Sequence, residues 1–330
     1  MVSTVTNVPN AALDDLAACN AWLTSIARHY GKEENAVLRQ ACQLAVQVHG
    51  QQTLDTGESR IHHLLSIADI LAHLRMDYST LATAILNGVL ADEAVTEPDL
   101  EQRFGPDVAR MLSDLARIGQ IANVDAVIAE KDEHEHAENL RRLLLGIAED
   151  VRVVLVVLAE RLHLMRSIKN LDETHRRRIA RDTQQIYAPL ANRLGMWQIK
   201  WELEDLSLRY LEPEEYKRIA SLLDGRRKDR EAFIAQVIAT LRQKLGELGI
   251  EAEISGRPKH IFSIWRKMQR KALDFDQIFD VRAVRVQVHD IADCYSALGV
   301  VHGLWKHIPG EFDDYIATPK ANMYQSLHTA

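Results

Sequence analysis

The chain has 330 residues, 47% apolar and 26% charged, with a formal net charge of −7. That length accommodates two ordinary domains with real cores, the balance excludes a disordered chain, and the negative charge argues against unspecific nucleic-acid binding by the whole chain. Cys19, Cys42 and Cys294 are odd in number and widely spaced, so they suggest neither a disulfide framework nor a cysteine zinc site.

Residues 11–210 read as almost wholly helical. Leu16, Trp22, Leu23 and Ile26 form one amphipathic segment, residues 36–48 a second, and Ile67, Ile70, Leu71 and Leu74 a third. Residues 81–90 are apolar nearly all round, which predicts a buried helix. Pro98 stands near the start of the next helix, which continues through Val108, Met111, Leu112 and Leu115. Residues 119–138 crowd Asp125, Glu130, Lys131, Asp132, Glu133 and Glu135 and read as a solvated loop. Helices resume at 140–147 and 151–168. Another spans 172–194, with Pro189 as a kink and Gly195 as a stop, and a further one spans 197–210. No apolar run reaches membrane-spanning length and the first ten residues lack a signal-peptide core, so a cytoplasmic protein is expected.

The helical half invites a metal test. A helical phosphohydrolase of the HD class holds one divalent ion on a His, an adjacent His-Asp pair and a distant Asp. His63 starts a helix, but Asn87 and Gly88 stand where the His-Asp pair would fall, and Glu160 stands where a shorter Asp would. This set does not hold an ion, and the region reads as a degenerate hydrolase site on a helical scaffold. His62 and His163 read as surface or packed histidines rather than ligands.

Beyond Pro213 a charge-rich helical stretch runs to about residue 248. A strand follows at 250–254, and then Gly256-Arg257-Pro258-Lys259-His260-Ile261-Phe262-Ser263-Ile264-Trp265-Arg266-Lys267-Met268. Ile261, Ile264, Trp265 and Met268 make an apolar stripe, while Lys259, Ser263 and Lys267 stack on another face. Gly256 and Pro258 suggest a sharp turn into the helix. Free N–H groups, the helix dipole and lysine charge would together cradle a polyphosphate; the alternative is a solvated basic face over a core. A second strand runs over 281–288, with Asp280 at its entrance as a Mg²⁺ ligand or a plain turn residue, and Arg285 able to stack on a base. A helix at 291–305 precedes an acidic knot, Glu311-Phe312-Asp313-Asp314-Tyr315. Lys320, Asn322, Tyr324 and His328 then suit a purine nucleotide, or an edge strand with a packed tyrosine. The class is α+β: residues 1–195 form an HD-type helical domain, 196–248 connecting helices, and 249–330 a domain with few strands.

Long strings now carry a resemblance: Tyr187-Ala188-Pro189-Leu190-Ala191-Asn192-Arg193-Leu194-Gly195, Lys200-Trp201-Glu202-Leu203-Glu204-Asp205, and the segments 256–268, 279–285 and 311–329. The chain resembles the RelA/SpoT family of alarmone synthetase/hydrolases over nearly its whole length. The resemblance implies an HD-type domain followed by a synthetase domain related to nucleotidyltransferases. That synthetase transfers the β,γ-pyrophosphoryl group of ATP to the 3′-hydroxyl of GDP or GTP, making (p)ppGpp in the stringent response. By the same resemblance Arg257 and Arg285 sandwich adenine, Lys259, Ser263 and Lys267 hold the ATP phosphates, and Asp280 binds the Mg²⁺ cofactor. Asp280, Lys267 and Arg257 are the expected catalytic residues. Tyr324 stacks on guanine, with Lys320, Asn322 and His328 on the acceptor nucleotide. Glu311-Phe312-Asp313-Asp314 is the acidic loop form of RelA-type members, where bifunctional members carry a basic R-x-K-D.

Active hydrolases of the family would carry His-Asp at Asn87-Gly88, Glu at Ala91 and Asp at Glu160, so only His63 and Asp92 keep the pattern. Both markers imply synthetase without hydrolase. The family's proposed base falls beyond Ala330, so the chain is expected to be an N-terminal catalytic fragment with little synthesis of its own. Ribosome and uncharged tRNA are expected partners only of the longer protein. A (p)ppGpp hydrolase and a regulatory nucleotide-binding module are the alternatives.

Overall fold

A computed structural model describes residues 15–91, 95–128, 150–225, 227–258, 260–278, 282–320 and 324–330. Two compact units emerge: Ser3–Asn192 with Met196–Leu211, and Glu212–Ala330 with Arg193–Gly195. The stretch read as connecting helices is thus divided: Trp197–Leu211 belongs to the helical unit, and the helices from Pro213 onward to the second.

The helical unit contains α1 (Asp15–Ile26), α2 (Lys32–His49), α3 (Arg60–His73), α4 (Tyr78–Ile85), α5 (Glu97–Phe104), α6 (Pro106–Ile128), α7 (Val151–Ser167), α8 (Glu173–Asp182), α9 (Ala188–Arg193) and α10 (Trp197–Leu211). Its centre is α3, buried from Ile61 to Leu71 at every position except His62, together with the run Val153 to Ala159 of α7 and the whole of α4 after Tyr78. Trp22 of α1 is fully buried, and its indole N–H donates to the buried Asp69 of α3 at 3.3 Å.

Several boundaries differ from the periodic reading, each for a local reason. The buried helix ends at Ile85, and Gly88, with φ of +92°, turns the chain in a region that L side chains avoid. The helix entered at Pro98 stops at Gly105 (φ +88°), and a new one starts at Pro106 and runs to Ile128. Residues 119–128 are therefore helical rather than loop. The remaining loop residues and the helix expected at 140–147 lie outside the described residues. The irregularity assigned to Pro189 falls just before it, as a π-turn over Thr183–Tyr187 in which the Ala188 N–H reaches back to the Thr183 carbonyl. The wider turn accommodates a proline ring that has no N–H to donate.

The second unit contains α11 (Pro213–Gly225), α12 (Arg227–Glu247), β1 (Ala252–Pro258), α13 (Ile261–Lys271), β2 (Arg282–Val288), α14 (Ile291–Leu304), β3 (Phe312–Asp314) and β4 (Leu327–Thr329). β1 pairs antiparallel with β2, and β3 with β4. One face of the β1–β2 ribbon, with Ala252, Ile254, Val284 and Val286, packs on Leu241 and Leu245 of α12 and Ala297 of α14. Gly256 lies within β1, not at a turn. A Cβ there would come within 2.9 Å of Ile234 Cγ2, so glycine lets the strand approach α12 closely.

Candidate functional site

The second unit brings its candidate residues to two places. Arg257 pairs with Ala283 across the ribbon and Arg285 with Ser255, so the two arginines occupy diagonal register positions. Arg285 is exposed there. The following helix, α13, enters from an extended His260 and buries Ile261, Phe262, Ile264 and Met268, which leaves Ser263 and Lys267 half-buried on its flank. Lys259, Asp280 and Asn322 lie outside the described residues.

The second place is the β3–β4 pair. The Lys320 ammonium sits 4.0 Å from the Tyr315 ring centroid and 5.9 Å from that of Tyr324. His328 meets Tyr315 edge-on at 5.2 Å and Tyr324 at 6.0 Å, with the Tyr324 hydroxyl 3.3 Å from His328 Nε2. Three of the four residues that the sequence grouped for a purine nucleotide thus share one aromatic and cationic cluster. Tyr315, read only as the end of the acidic knot, is its fourth member. The knot itself is largely occupied with folding. Glu311 pairs with Lys271 at 3.3 Å, and Asp314 accepts from Ala317 N–H at 2.8 Å, Ile316 N–H at 2.9 Å and the Tyr295 hydroxyl at 2.9 Å. Those bonds, led by the one from Ala317, hold the Asp314 carboxyl below its usual pKa.

In the helical unit, Ser59 caps α3 by accepting from His62 N–H at 3.1 Å, which sets Glu58, His62 and His63 around the helix start. Glu160 and His163, three residues apart on α7, face them. Glu58 accepts from His63 Nδ1 at 3.0 Å and from His163 Nε2 at 2.9 Å. His63 Nε2 faces Glu160 at 3.8 Å, and the rings of His63 and His163 meet at 5.0 Å. Burial opposes charge on His63, yet the carboxylates of Glu160 and Glu58 hold its pKa above the ordinary value. Burial lowers that of His163 more than Glu58 raises it. Burial would raise Glu58, but His163, His62 and His63 together hold it low. The cluster therefore sets a carboxylate between two imidazoles whose pKa values are pushed apart, His63 upward and His163 downward.

An ion on His63, residues 87 and 88, and Glu160 does not fit these residues. The Asn87 amide points its Nδ2 at Glu160 Oε2, 3.4 Å away, so it turns a donor and not a lone pair toward that carboxylate. Arg60 Nη2 donates to the Asn87 carbonyl at 3.1 Å and would stand 3.0 Å from a Cβ at Gly88. A guanidinium already occupies the space into which a carboxylate would project. Asp92 lies outside the described residues. Sequence reasoning missed Glu58, Arg60 and the inward placement of His163. The available signal was Glu160 and His163 at helical spacing opposite a capped His-His start.

Residues 41–197 match the HD domain family, and residues 256–330 match a region found in RelA/SpoT proteins. A GTP pyrophosphokinase of Myxococcus xanthus is 40% identical over 92% of this chain and 40% of its own length. The chain belongs to the RelA/SpoT family. A GTP pyrophosphokinase of Escherichia coli K12 is 46% identical over 80% of this chain and 36% of its own length. A guanosine-3′,5′-bis(diphosphate) 3′-pyrophosphohydrolase of Aquifex aeolicus is 41% identical over 93% and 43%. The chain thus spans about two fifths of the length of these curated RelA/SpoT relatives, whose names cover both synthesis and hydrolysis. The RelA/SpoT region opens inside β1 at Gly256 and encloses the Arg285 ribbon and the Tyr315–Tyr324–His328 cluster. The HD match encloses Glu58, His63, Asn87, Gly88, Glu160 and His163. Among the described residues no helix is long and apolar enough to cross a membrane.

Proposed function

We propose that this chain carries the catalytic part of a RelA-type GTP pyrophosphokinase, which transfers the pyrophosphoryl group of ATP to the 3′-hydroxyl of GDP or GTP, and that its HD-type unit is silent as a hydrolase. The observation that carries the synthetase half is the convergence of Lys320, Tyr324 and His328, joined by Tyr315, into one aromatic and cationic cluster. Such a cluster suits a guanine base and its phosphates. Arg257 and Arg285, diagonal in the ribbon's register, serve the adenine of ATP. Ser263 and Lys267, with Lys259, serve its phosphates, and Asp280 holds Mg²⁺, which supplies charge neutralisation at the phosphates when bound. Attack by a hydroxyl on a phosphorus gathers negative charge on oxygens that already carry it, so fixed cations and aligned bases are what the reaction requires. The names of the M. xanthus and E. coli relatives support this reading, as does the acidic sequence Glu311-Phe312-Asp313-Asp314. Ribosome and uncharged tRNA are proposed partners of a longer protein only.

Labelled ATP and GDP, separated by thin-layer chromatography, test the reading with a version of the protein that continues beyond Ala330. Lys267→Ala should lower synthesis about 100-fold or more while leaving the circular dichroism spectrum unchanged. Near-normal synthesis would remove the site. The hydrolase reading draws on the name of the A. aeolicus relative and is opposed by Asn87 and Gly88. Mn²⁺-dependent release of pyrophosphate from ppGpp by this chain would reinstate it.

A further inference from the structure

Glu58, His63 and His163 each offer one ligand atom, and the three atoms lie within 4.8 Å of one another. None of the three is Asn87, Gly88 or Glu160, so only His63 is shared with the HD set that these residues fail to complete. The two histidines are 4% and 6% exposed and stand on helices, in the first turn of α3 and the C-terminal third of α7. Glu58 lies 3.0 Å from one ring nitrogen and 2.9 Å from the other. Donors bound tetrahedrally at about 2.0–2.1 Å lie roughly 3.3 Å apart, so both Glu58–imidazole separations are already within a few tenths of an ångström of that spacing. A further observation points at the same spot. His62 Nδ1 is buried without a hydrogen-bond partner, 3.5 Å from Glu58 Oε2. One carboxylate faces three imidazoles and satisfies two, which leaves an orphaned nitrogen aimed at the group a metal would share.

We propose that Glu58, His63 and His163, with His62 closing the set, form a zinc-class divalent metal site that pins the start of α3 to the C-terminal third of α7. Imidazole nitrogen and a single carboxylate favour zinc over magnesium or calcium, which take oxygen donors, and over manganese, which binds such sets more weakly. With four protein ligands the site is closed and structural, distinct from the open position that a hydrolytic ion keeps.

Zinc titration of the chelator-stripped full chain, in competition with a chromophoric chelator, tests this. One zinc per chain is expected, with a rise in the thermal midpoint. His163→Ala should weaken binding about 100-fold or more and His62→Ala about 10-fold or more, whereas Asn87→Ala should leave it within about threefold. His163 is buried and its variant can fail to fold, so cobalt substitution of the wild-type chain provides an independent reading. Intense visible bands of a four-coordinate, nitrogen-rich ion support the site. Absence of stoichiometric zinc binding by the stripped wild-type chain, or a weak six-coordinate cobalt spectrum, overturns it.

Discussion

An amide in place of the Glu58 carboxylate would keep its shape and lose its charge, and two buried imidazoles would then share an acceptor that also presents donors. One ring, itself buried, would be left facing an N–H group. Breaking a buried pair from one side leaves the other partner uncompensated. Glu58→Gln in the metal-free chain should therefore cost about 3 kcal/mol in urea unfolding. A change below about 0.5 kcal/mol would mean that the cluster is more solvated than its burial indicates. Gly88 shows the same logic of local context. Its positive φ and the guanidinium beside it explain why the place of an HD aspartate cannot simply be refilled, since a side chain there is both strained and obstructed.

At the scale of elements, β1 depends on how closely it lies on α12. Its inward residues Ala252 and Ile254 bury themselves against Leu241 and Leu245, and Gly256 continues that contact with no side chain at all. Gly256→Ala should push against the branched Ile234 and lower the stability of the second unit by about 1–3 kcal/mol. Chemical denaturation followed by a probe in that unit checks it, and an unchanged midpoint would show that α12 moves freely. The helix stripes were legible because burial on one face recurs at 3.6 residues whatever the partner is. Strand limits were not. Gly256 and Pro258 carry turn chemistry in isolation, and only pairing with Val284 and Arg282 makes them strand.

Across the whole molecule, the two units each close their own core. α3, α4 and α7 bury their apolar faces within the helical unit, and the β1–β2 ribbon buries its own against α12 and α14. Residues 1–211 alone should therefore fold, with a strongly helical circular dichroism spectrum and one cooperative thermal transition. A gradual, non-cooperative melt would show that the helical unit needs the rest of the chain.

Periodicity, composition and long motif strings determined by themselves that the chain is helical first and mixed later, that it belongs with RelA/SpoT proteins, and that residues 87 and 88 lack metal-binding side chains. These are properties of neighbours in sequence, where spacing alone dictates which side chains share a face. Only the tertiary structure decided that Glu58 and His163, 105 positions apart, would meet, that Arg60 would lie beside Gly88, and that Tyr315 would join Lys320 and His328. Convergence of that kind is set by how helices and strands pack, and no local pattern carries it.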